Sequence, residues 1–249
     1  MRRAALGAAL AAAVSVAIGA GTARSLPARV DADQPVVLAA ASLTGVLPRI
    51  EPEARYSFAG SNQLAQQIRL GAPFDVFLSA SPVYTQDLYR ASLVRKPVPF
   101  ATNALVLIVP RSNPQQIRTV YDLAKRPKLR LVVAGPKVPV GLYTREILKR
   151  LGLLKVLKKA VSLEPDVKGI VGKVALGEAD AGFVYRTDVR PVAGKVKAIA
   201  LPPRSQPVVS YEVAVATNPV SLDSAQAFVI ALLSVDGRRE LRRVGFGLP

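Results

Sequence analysis

From Val36 onward the chain alternates short, nearly continuous apolar runs with amphipathic stretches. Apolar runs of about four to eight residues are typical of buried strands, and the stretches between them have the apolar spacing of surface helices. This alternation predicts parallel strands that are connected by helices covering the sheet. The runs predicted to contain strands are VVLAAAS, RYSFAGS, FDVFLSAS, NALVLIVP, LRLVVAGP, DAGFVYRTDV and SYEVAVAT.

Two of these strands divide the alternation into two series. They are long apolar runs near residues 103–109 and 211–216, and each stands where one series ends and the next begins. The pattern therefore predicts an α/β fold with two lobes joined by a double crossover. We assign residues 35–102 and 211–249 to the first lobe, and residues 103–210 to the second.

The N-terminal segment is predicted to lie outside this fold. Residues 1–23 combine two arginines, an apolar run and small residues before a possible cut after Ala23, which is the layout of a secretory signal peptide. The run is also about long enough to be an uncleaved membrane anchor. Because it has few bulky residues and no basic stop, we predict cleavage and export, with residues 24–34 as a flexible lead-in.

The composition excludes several kinds of chemistry. The chain has no cysteine and no histidine, so disulfides, thiolate nucleophiles, zinc sites and histidine-dependent triads are ruled out. The exported part has no Ser-x-x-Lys or Gly-x-Ser-x-Gly motif, and KGIVGKV lacks the first glycine and the Ser/Thr of a phosphate-binding loop. We predict that the chain is not an enzyme and has no catalytic residues.

The formal net charge of +17 suggests acidic partners. The basic residues are scattered over several predicted helices, however, and no aromatic residues stand between them as stacking platforms for bases. We therefore interpret them as solvated helix faces and predict no nucleic-acid partner.

Small or hydroxylated residues stand where predicted strands turn into helices. Ser42 and Ser61 follow the first two strands, and Val140 and Val167 begin later helices. In an open α/β sheet such turns lie at the carboxyl ends of strands, where ligands bind, and each helix start offers unpaired N–H groups. A single serine at such a turn is usually only a helix cap. Together, the four turns predict an anion site that needs no lysine or arginine.

Several blocks also resemble one known family. The chain is similar to the periplasmic molybdate-binding proteins of ABC importers over residues 36–246, and the matching blocks stand in the same order. The blocks are AAASLT, SFAGSNQLAQQI, GAPFDVFLSAS, VPVGLYTREIL, EPDVKG, ADAGFVYRTD and RRVGF.

The resemblance implies the two-lobed periplasmic binding protein fold, in which each lobe is a mixed sheet flanked by helices. It also implies a monomer that captures molybdate or tungstate between the lobes, without a cofactor, and delivers it to the membrane permease of an ABC importer. Such a protein would be periplasmic or otherwise extracytoplasmic.

The resemblance also implies a set of oxyanion ligands. Transferred position by position, they are Ser42 and Ser61 through hydroxyl and N–H, Val140 and Val167 through N–H, and Tyr185 through its hydroxyl. The family usually has alanine at position 140, and a small hydroxyl residue is common where this chain has Asn62. No metal site is implied apart from the molybdate itself at these residues.

Three other functions stay open at this point. The same fold could carry another tetrahedral oxyanion such as sulfate. It could be the effector-sensing domain of a transcription regulator, although the predicted signal peptide occupies the place of the DNA-binding segment. It could also be an enzyme that uses the same cleft, which the missing histidine and cysteine disfavour.

Overall fold

The computed structural model of the protein describes residues 34–249. The predicted signal peptide, residues 1–23, and nearly all of the predicted lead-in, residues 24–34, lie outside the described residues. Within residues 34–249, no helix combines the length and the apolar character needed to cross a membrane.

The described chain forms ten strands and eight α-helices. In chain order the strands are β1 (Val36–Ala40), β2 (Arg55–Ala59), β3 (Val76–Ser79), β4 (Val98–Asn103), β5 (Leu105–Pro110), β6 (Leu131–Ala134), β7 (Ala160–Glu164), β8 (Ala181–Tyr185), β9 (Val196–Ala200) and β10 (Val209–Val215). The helices are α1 (Leu47–Ile50), α2 (Ser61–Arg69), α3 (Pro82–Arg90), α4 (Asp122–Lys125), α5 (Pro139–Arg150), α6 (Val167–Ala175), α7 (Leu222–Leu233) and α8 (Val235–Val244).

The strands form two five-stranded sheets, in the orders β2-β1-β3-β10-β4 and β7-β6-β8-β5-β9. In the first sheet β1 is parallel to β2 and β3, whereas β10 is antiparallel to β3 and β4. In the second, β6 is parallel to β7 and β8, whereas β5 is antiparallel to β8 and β9. The predicted α/β fold with two mixed sheets and a double crossover is confirmed.

The sheets are not purely parallel, although the alternation of strands and helices alone would predict parallel strands. Purely parallel pairing holds only among the strands that helices connect, because a βαβ crossover returns the chain in the same direction. The strands at the crossovers, β4, β5 and β10, run antiparallel to their neighbours. The chain enters β5 and β10 from the other lobe, and it leaves the first lobe through β4. The lobe boundaries given above stay a prediction.

One side chain joins the two crossovers in addition to the pairing of the flanking strands. The chain leaves the first sheet at Ala104, between β4 and β5, and returns between β9 and β10. In the returning segment, Gln206 pairs with both main-chain polar groups of Leu105: Nε2 donates to the carbonyl oxygen at 2.7 Å, and Oε1 accepts from the N–H at 3.1 Å. The amide of Gln206 thus takes the place of a neighbouring strand.

Aromatic rings fill the core between the crossovers and the sheet ends. Tyr185 and Tyr211 are the largest fully buried side chains, and their ring centroids lie 5.8 Å apart. Tyr211 also packs edge-on against Phe246, at 5.3 Å, and Phe100, at 6.2 Å. This cluster places two phenol hydroxyls beside the carboxyl ends of the central strands.

Candidate anion-binding site

A small cavity lies between the carboxyl ends of the two sheets. Its walls are small side chains and helix starts, and all five sequence-predicted ligands are among them. The lining residues are Ala40, Ala41, Ser42, Ala59, Gly60, Ser61, Ala80, Val138, Pro139, Val140, Asp166, Val167 and Tyr185. The structure therefore brings the predicted residues together, and their role as ligands stays a prediction.

The first lobe contributes two buried serines. Ser42 lies in a 3-10 turn directly after β1, and its Oγ is 2.9 Å from the Tyr211 hydroxyl. Ser61 is the first residue of α2, whose N-cap is Gly60, and its Oγ accepts a hydrogen bond from the Ala80 N–H at 3.1 Å. Neither hydroxyl caps its own helix, so the simple capping role considered from the sequence does not describe them.

The second lobe contributes two helix starts. Val140 is the second residue of α5, and no described side chain caps that helix. Val167 is the first residue of α6, where the carboxylate of Asp166 accepts from the N–H groups of Lys168 and Gly169 at 2.7 and 3.2 Å. The first N–H groups of a helix have no partner within it. Since α5 has no side-chain cap and Asp166 accepts from other N–H groups of α6, the N–H groups of Val140 and Val167 are left for the cavity.

Tyr185 completes the ring of donors. Its side chain is 2 % exposed, and its hydroxyl has no hydrogen-bond partner among residues 34–249. Burial, followed by the neighbouring Tyr211 and Tyr143, raises the pKa of Tyr185 well above its ordinary value. The phenol therefore keeps its proton. A buried O–H without an acceptor costs about 1–3 kcal/mol, which an anion in the cavity would recover.

The electrostatics of the cavity come from dipoles. Among the described lining residues, Asp166 is the only charged one, and none is lysine or arginine. Three helix starts, those of α2, α5 and α6, point at the same space, and each carries a partial positive charge. No group of three or more His, Cys, Asp or Glu side chains within residues 34–249 could hold a metal ion. The arrangement suits an anion that is held by N–H and O–H donors.

A larger, basic groove adjoins the cavity and shares Ser42 with it. Four cationic side chains line this groove, two from each side: Arg49, Lys168, Arg190 and Arg243. Lys168 is paired with the buried carboxylate of Asp188 at 2.6 Å, and Arg190 donates to the Arg243 carbonyl. The groove adjoins the cavity, but none of these four cationic side chains lines the cavity itself.

Sequence reasoning missed three residues that shape the site. Gly60 lets two main-chain segments approach each other, and its place in SFAGS was the signal that could have found it. Tyr211 lies behind Ser42 and contacts it, and Asn103 in turn contacts Tyr211. Each of these contacts joins residues that are more than a hundred positions apart in the sequence. No local pattern could have linked these two to the site.

Two α/β lobes, joined by two crossovers and enclosing a donor-lined cavity, define a bilobal ligand-binding protein. The sequence profile of the bacterial extracellular solute-binding protein family matches residues 36–247, and the chain belongs to that family. It is accordingly a solute-binding protein that acts outside the cytoplasm, and not an enzyme.

The most similar relatives extend over most of the chain. A molybdate-binding protein ModA of Mycobacterium tuberculosis is 37% identical over 224 residues, which cover 86% of this chain and 84% of the relative. A molybdate-binding protein ModA of Escherichia coli is 33% identical over 231 residues, which cover 84% and 87%. Among solved structures, the periplasmic molybdate-binding protein of Azotobacter vinelandii superimposes with a TM-score of 0.77, at 21% identity, over 87% of this chain and 100% of that one. That last likeness concerns the fold.

Proposed function

We propose that this protein captures molybdate in the cavity between its lobes and delivers it to the membrane permease of an ABC importer. The observation that carries the proposal is the buried hydroxyl of Tyr185, which has no hydrogen-bond partner within residues 34–249 and lines a cavity together with two serines and three helix starts. The molybdate-binding relatives, up to 37% identical, support the same ligand.

Five residues would hold the anion. Ser42 and Ser61 would donate through hydroxyl and N–H, Val140 and Val167 through N–H, and Tyr185 through its hydroxyl. Helix starts are favourable anion sites because unpaired N–H groups and the helix dipole act in the same direction. No cofactor takes part, and the molybdate is the solute itself.

The donor set favours a fully deprotonated tetrahedral dianion. Such an anion offers only acceptors, whereas hydrogen phosphate carries a proton that needs an acceptor, and leaving that proton unpaired costs about 1–3 kcal/mol. Sulfate also offers only acceptors, so it would be excluded by size alone, which is a weaker filter. Tungstate is nearly the same size as molybdate and would bind in the same way.

Binding would close the lobes on the anion by bending at the crossovers. Two hydrogen bonds already join the lobes at the cavity: the Tyr143 hydroxyl donates to the Ala80 carbonyl at 3.2 Å, and the Tyr84 hydroxyl donates to the Lys137 carbonyl. The closed monomer would then dock on the permease. No nucleic acid takes part.

Calorimetric titration of the purified protein with molybdate, tungstate, sulfate and phosphate tests the proposal. We expect molybdate and tungstate to bind tightly and alike, sulfate weakly, and phosphate not measurably. Tight binding of sulfate without molybdate would replace the proposed solute with another oxyanion. No binding of any tetrahedral anion would reject the function altogether.

We also propose that residues 1–23 are removed on export. The two arginines, the apolar run and the small residues before Ala23 support this. Intact-mass analysis of the protein from the periplasmic fraction should give a chain that begins near Arg24. A full-length chain retained in the membrane would instead indicate an anchor.

A further inference from the structure

The hydroxyl of Ser42 has one proton, which it can donate either to the Tyr211 hydroxyl or to an anion in the cavity. Its Oγ is 2.9 Å from the Tyr211 hydroxyl, and either oxygen could be the donor in that bond. If Ser42 donates to Tyr211, it presents only lone pairs to the cavity. If Tyr211 donates to Ser42, the Ser42 proton is left for the anion. The direction of this bond therefore decides whether the cavity is lined by donors alone.

The side chain of Asn103 indicates the direction. The Ala104 N–H donates to Asn103 Oδ1 at 2.9 Å, and because a main-chain N–H can only donate, this bond fixes which end of the amide is oxygen. Asn103 Nδ2 then faces Thr187 Oγ1 at 2.9 Å and the Tyr211 hydroxyl at 3.5 Å. Towards Tyr211, Asn103 presents a donor and no acceptor.

Tyr211 is fully buried, so its O–H needs an acceptor. Within residues 34–249, the Tyr211 hydroxyl forms hydrogen bonds with Ser42 Oγ and Asn103 Nδ2, and of these two only the serine oxygen can accept. The Tyr185 hydroxyl also lies near Tyr211, but it forms no hydrogen bond within these residues. Burial raises the pKa of Tyr211 well above its ordinary value, so the phenol keeps its proton. If Ser42 donated instead, the Tyr211 proton would be buried without a partner, which is unfavourable.

We propose that Asn103 and Tyr211 form a relay that points the Ser42 proton into the cavity and thereby selects fully deprotonated anions. The order of donation is Ala104 to Asn103, Asn103 to Tyr211, Tyr211 to Ser42, and Ser42 to the anion. The relay begins at the crossover between β4 and β5, and its other members belong to β4, β10 and the turn after β1, all strands of the first sheet. Asn103 and Tyr211 are not among the residues that line the cavity, so they are positioning residues. The inference rests on the proposed function.

Asn103→Asp should reverse the relay. A carboxylate has no donor, so the Tyr211 proton would turn towards residue 103, the Ser42 proton would turn towards Tyr211, and Ser42 would offer the cavity an acceptor. A protonated anion would then find the partner it lacks in the wild-type site. Tyr211→Phe should free the Ser42 hydroxyl to donate or accept as the anion requires.

The test is calorimetric titration in mildly alkaline buffer with molybdate, sulfate and hydrogen arsenate. All three are dianions there, so the added charge of Asn103→Asp affects them alike, and only hydrogen arsenate carries a proton. We expect Asn103→Asp to lower the ratio of the Kd for hydrogen arsenate to the Kd for molybdate at least about tenfold. The ratio of the Kd for sulfate to the Kd for molybdate should stay within about twofold of its wild-type value. Tyr211→Phe should weaken molybdate binding about three- to tenfold. It should also lower the ratio of the Kd for hydrogen arsenate to the Kd for molybdate.

Tyr56→Phe is the matched control. It also removes a phenol hydroxyl of the first lobe, but that hydroxyl donates to the main-chain carbonyls of Leu47 and Glu51, at 3.0 and 2.6 Å, away from the relay. In this variant, the ratio of the Kd for hydrogen arsenate to the Kd for molybdate should equal that of the wild type. Wild-type discrimination in both relay variants would overturn the relay and leave the proposed function intact. Failure of the wild-type protein to bind molybdate would overturn the proposed function itself.

Discussion

Gly60 and Pro165 meet main chain to main chain across the cleft. A methyl group on the Cα of Gly60 would stand 2.5 Å from the carbonyl oxygen of Pro165, closer than two such atoms can approach. The φ of Gly60 is −61°, which any residue can adopt. The position needs glycine because the lobes close on it, and its backbone conformation plays no part.

We expect Gly60→Ala to hold the lobes apart. Molybdate affinity should fall at least about tenfold, because the added methyl group would stand 2.5 Å from the Pro165 carbonyl oxygen and 2.8 Å from Asn62 Oδ1. Gly45→Ala is the control, since nothing lies within 4 Å of its added methyl group. Calorimetric titration and thermal unfolding of both variants check this. Unchanged affinity in Gly60→Ala would mean that binding does not need this contact.

Ser42→Ala and Ser61→Ala should each weaken molybdate binding about ten- to a hundredfold, because each removes a charge-assisted hydrogen bond to a buried dianion. Ser234→Ala is the matched control: Ser234 caps α8 by accepting from the Gly237 N–H at 3.0 Å. Losing that cap should lower the free energy of unfolding by about 0.5–2 kcal/mol and leave the affinity unchanged. Site variants that lose stability but keep their affinity would show that the anion binds elsewhere.

The basic groove should affect how fast the anion arrives more than how tightly it is held. Arg49→Gln should slow molybdate association about two- to threefold at low ionic strength and reduce its salt dependence, while the Kd stays within about threefold. The chain has no tryptophan, so stopped-flow tyrosine fluorescence can follow binding. Arg118→Gln, outside the groove, should not change the rate. A tenfold loss of affinity in Arg49→Gln would place a basic residue in the site.

Glu164 should make stability depend on pH in the acid range. Burial tends to raise its pKa, but the Lys173 ammonium at 2.7 Å and the Ser162 hydroxyl at 2.6 Å more than offset this, so its pKa lies below the usual 4.5. A carboxylate whose pKa is lower when folded stabilises the protein above the unfolded pKa, and that stabilisation is lost as the pH falls through the folded value. Glu164→Gln should therefore flatten the fall in stability below about pH 4.5. Urea unfolding across that range measures it, and equal slopes in the two proteins would contradict the assignment.

The sequence predicted the central strands and missed three at the edges. β4, β7 and β9 are edge strands of their sheets. An edge strand is covered on fewer sides, so its sequence mixes exposed and buried positions, as VPFATN, AVSLE and VKAIA do. None of these has the continuous apolar run that marks β6 or β8. The exception is β2, an edge strand that the run RYSFAGS did predict. Apart from β2, the apolar runs detected the strands in the middle of the sheets.

The site was accessible from the sequence where its residues are local. Ser42, Ser61, Val140 and Val167 stand at strand-to-helix turns, and the fold determines that such turns gather at one place. The contacts behind them were not accessible. Ser42 meets Tyr211 across 169 residues, and Gly60 faces Pro165 from the opposite lobe. These contacts depend on how the two lobes close, which no local pattern contains.

The walls of the cavity leave little room for mutation to change its size. Four of its lining residues are alanines and one is glycine, so these five side chains have almost nothing to lose, and larger ones would occupy the space meant for the anion. The width of the cavity follows from where the main chain runs. Substitutions elsewhere can accumulate without altering which anion fits, and a new solute of different size would require a shifted helix or strand. In this protein the path of the main chain sets which anion the cavity can hold.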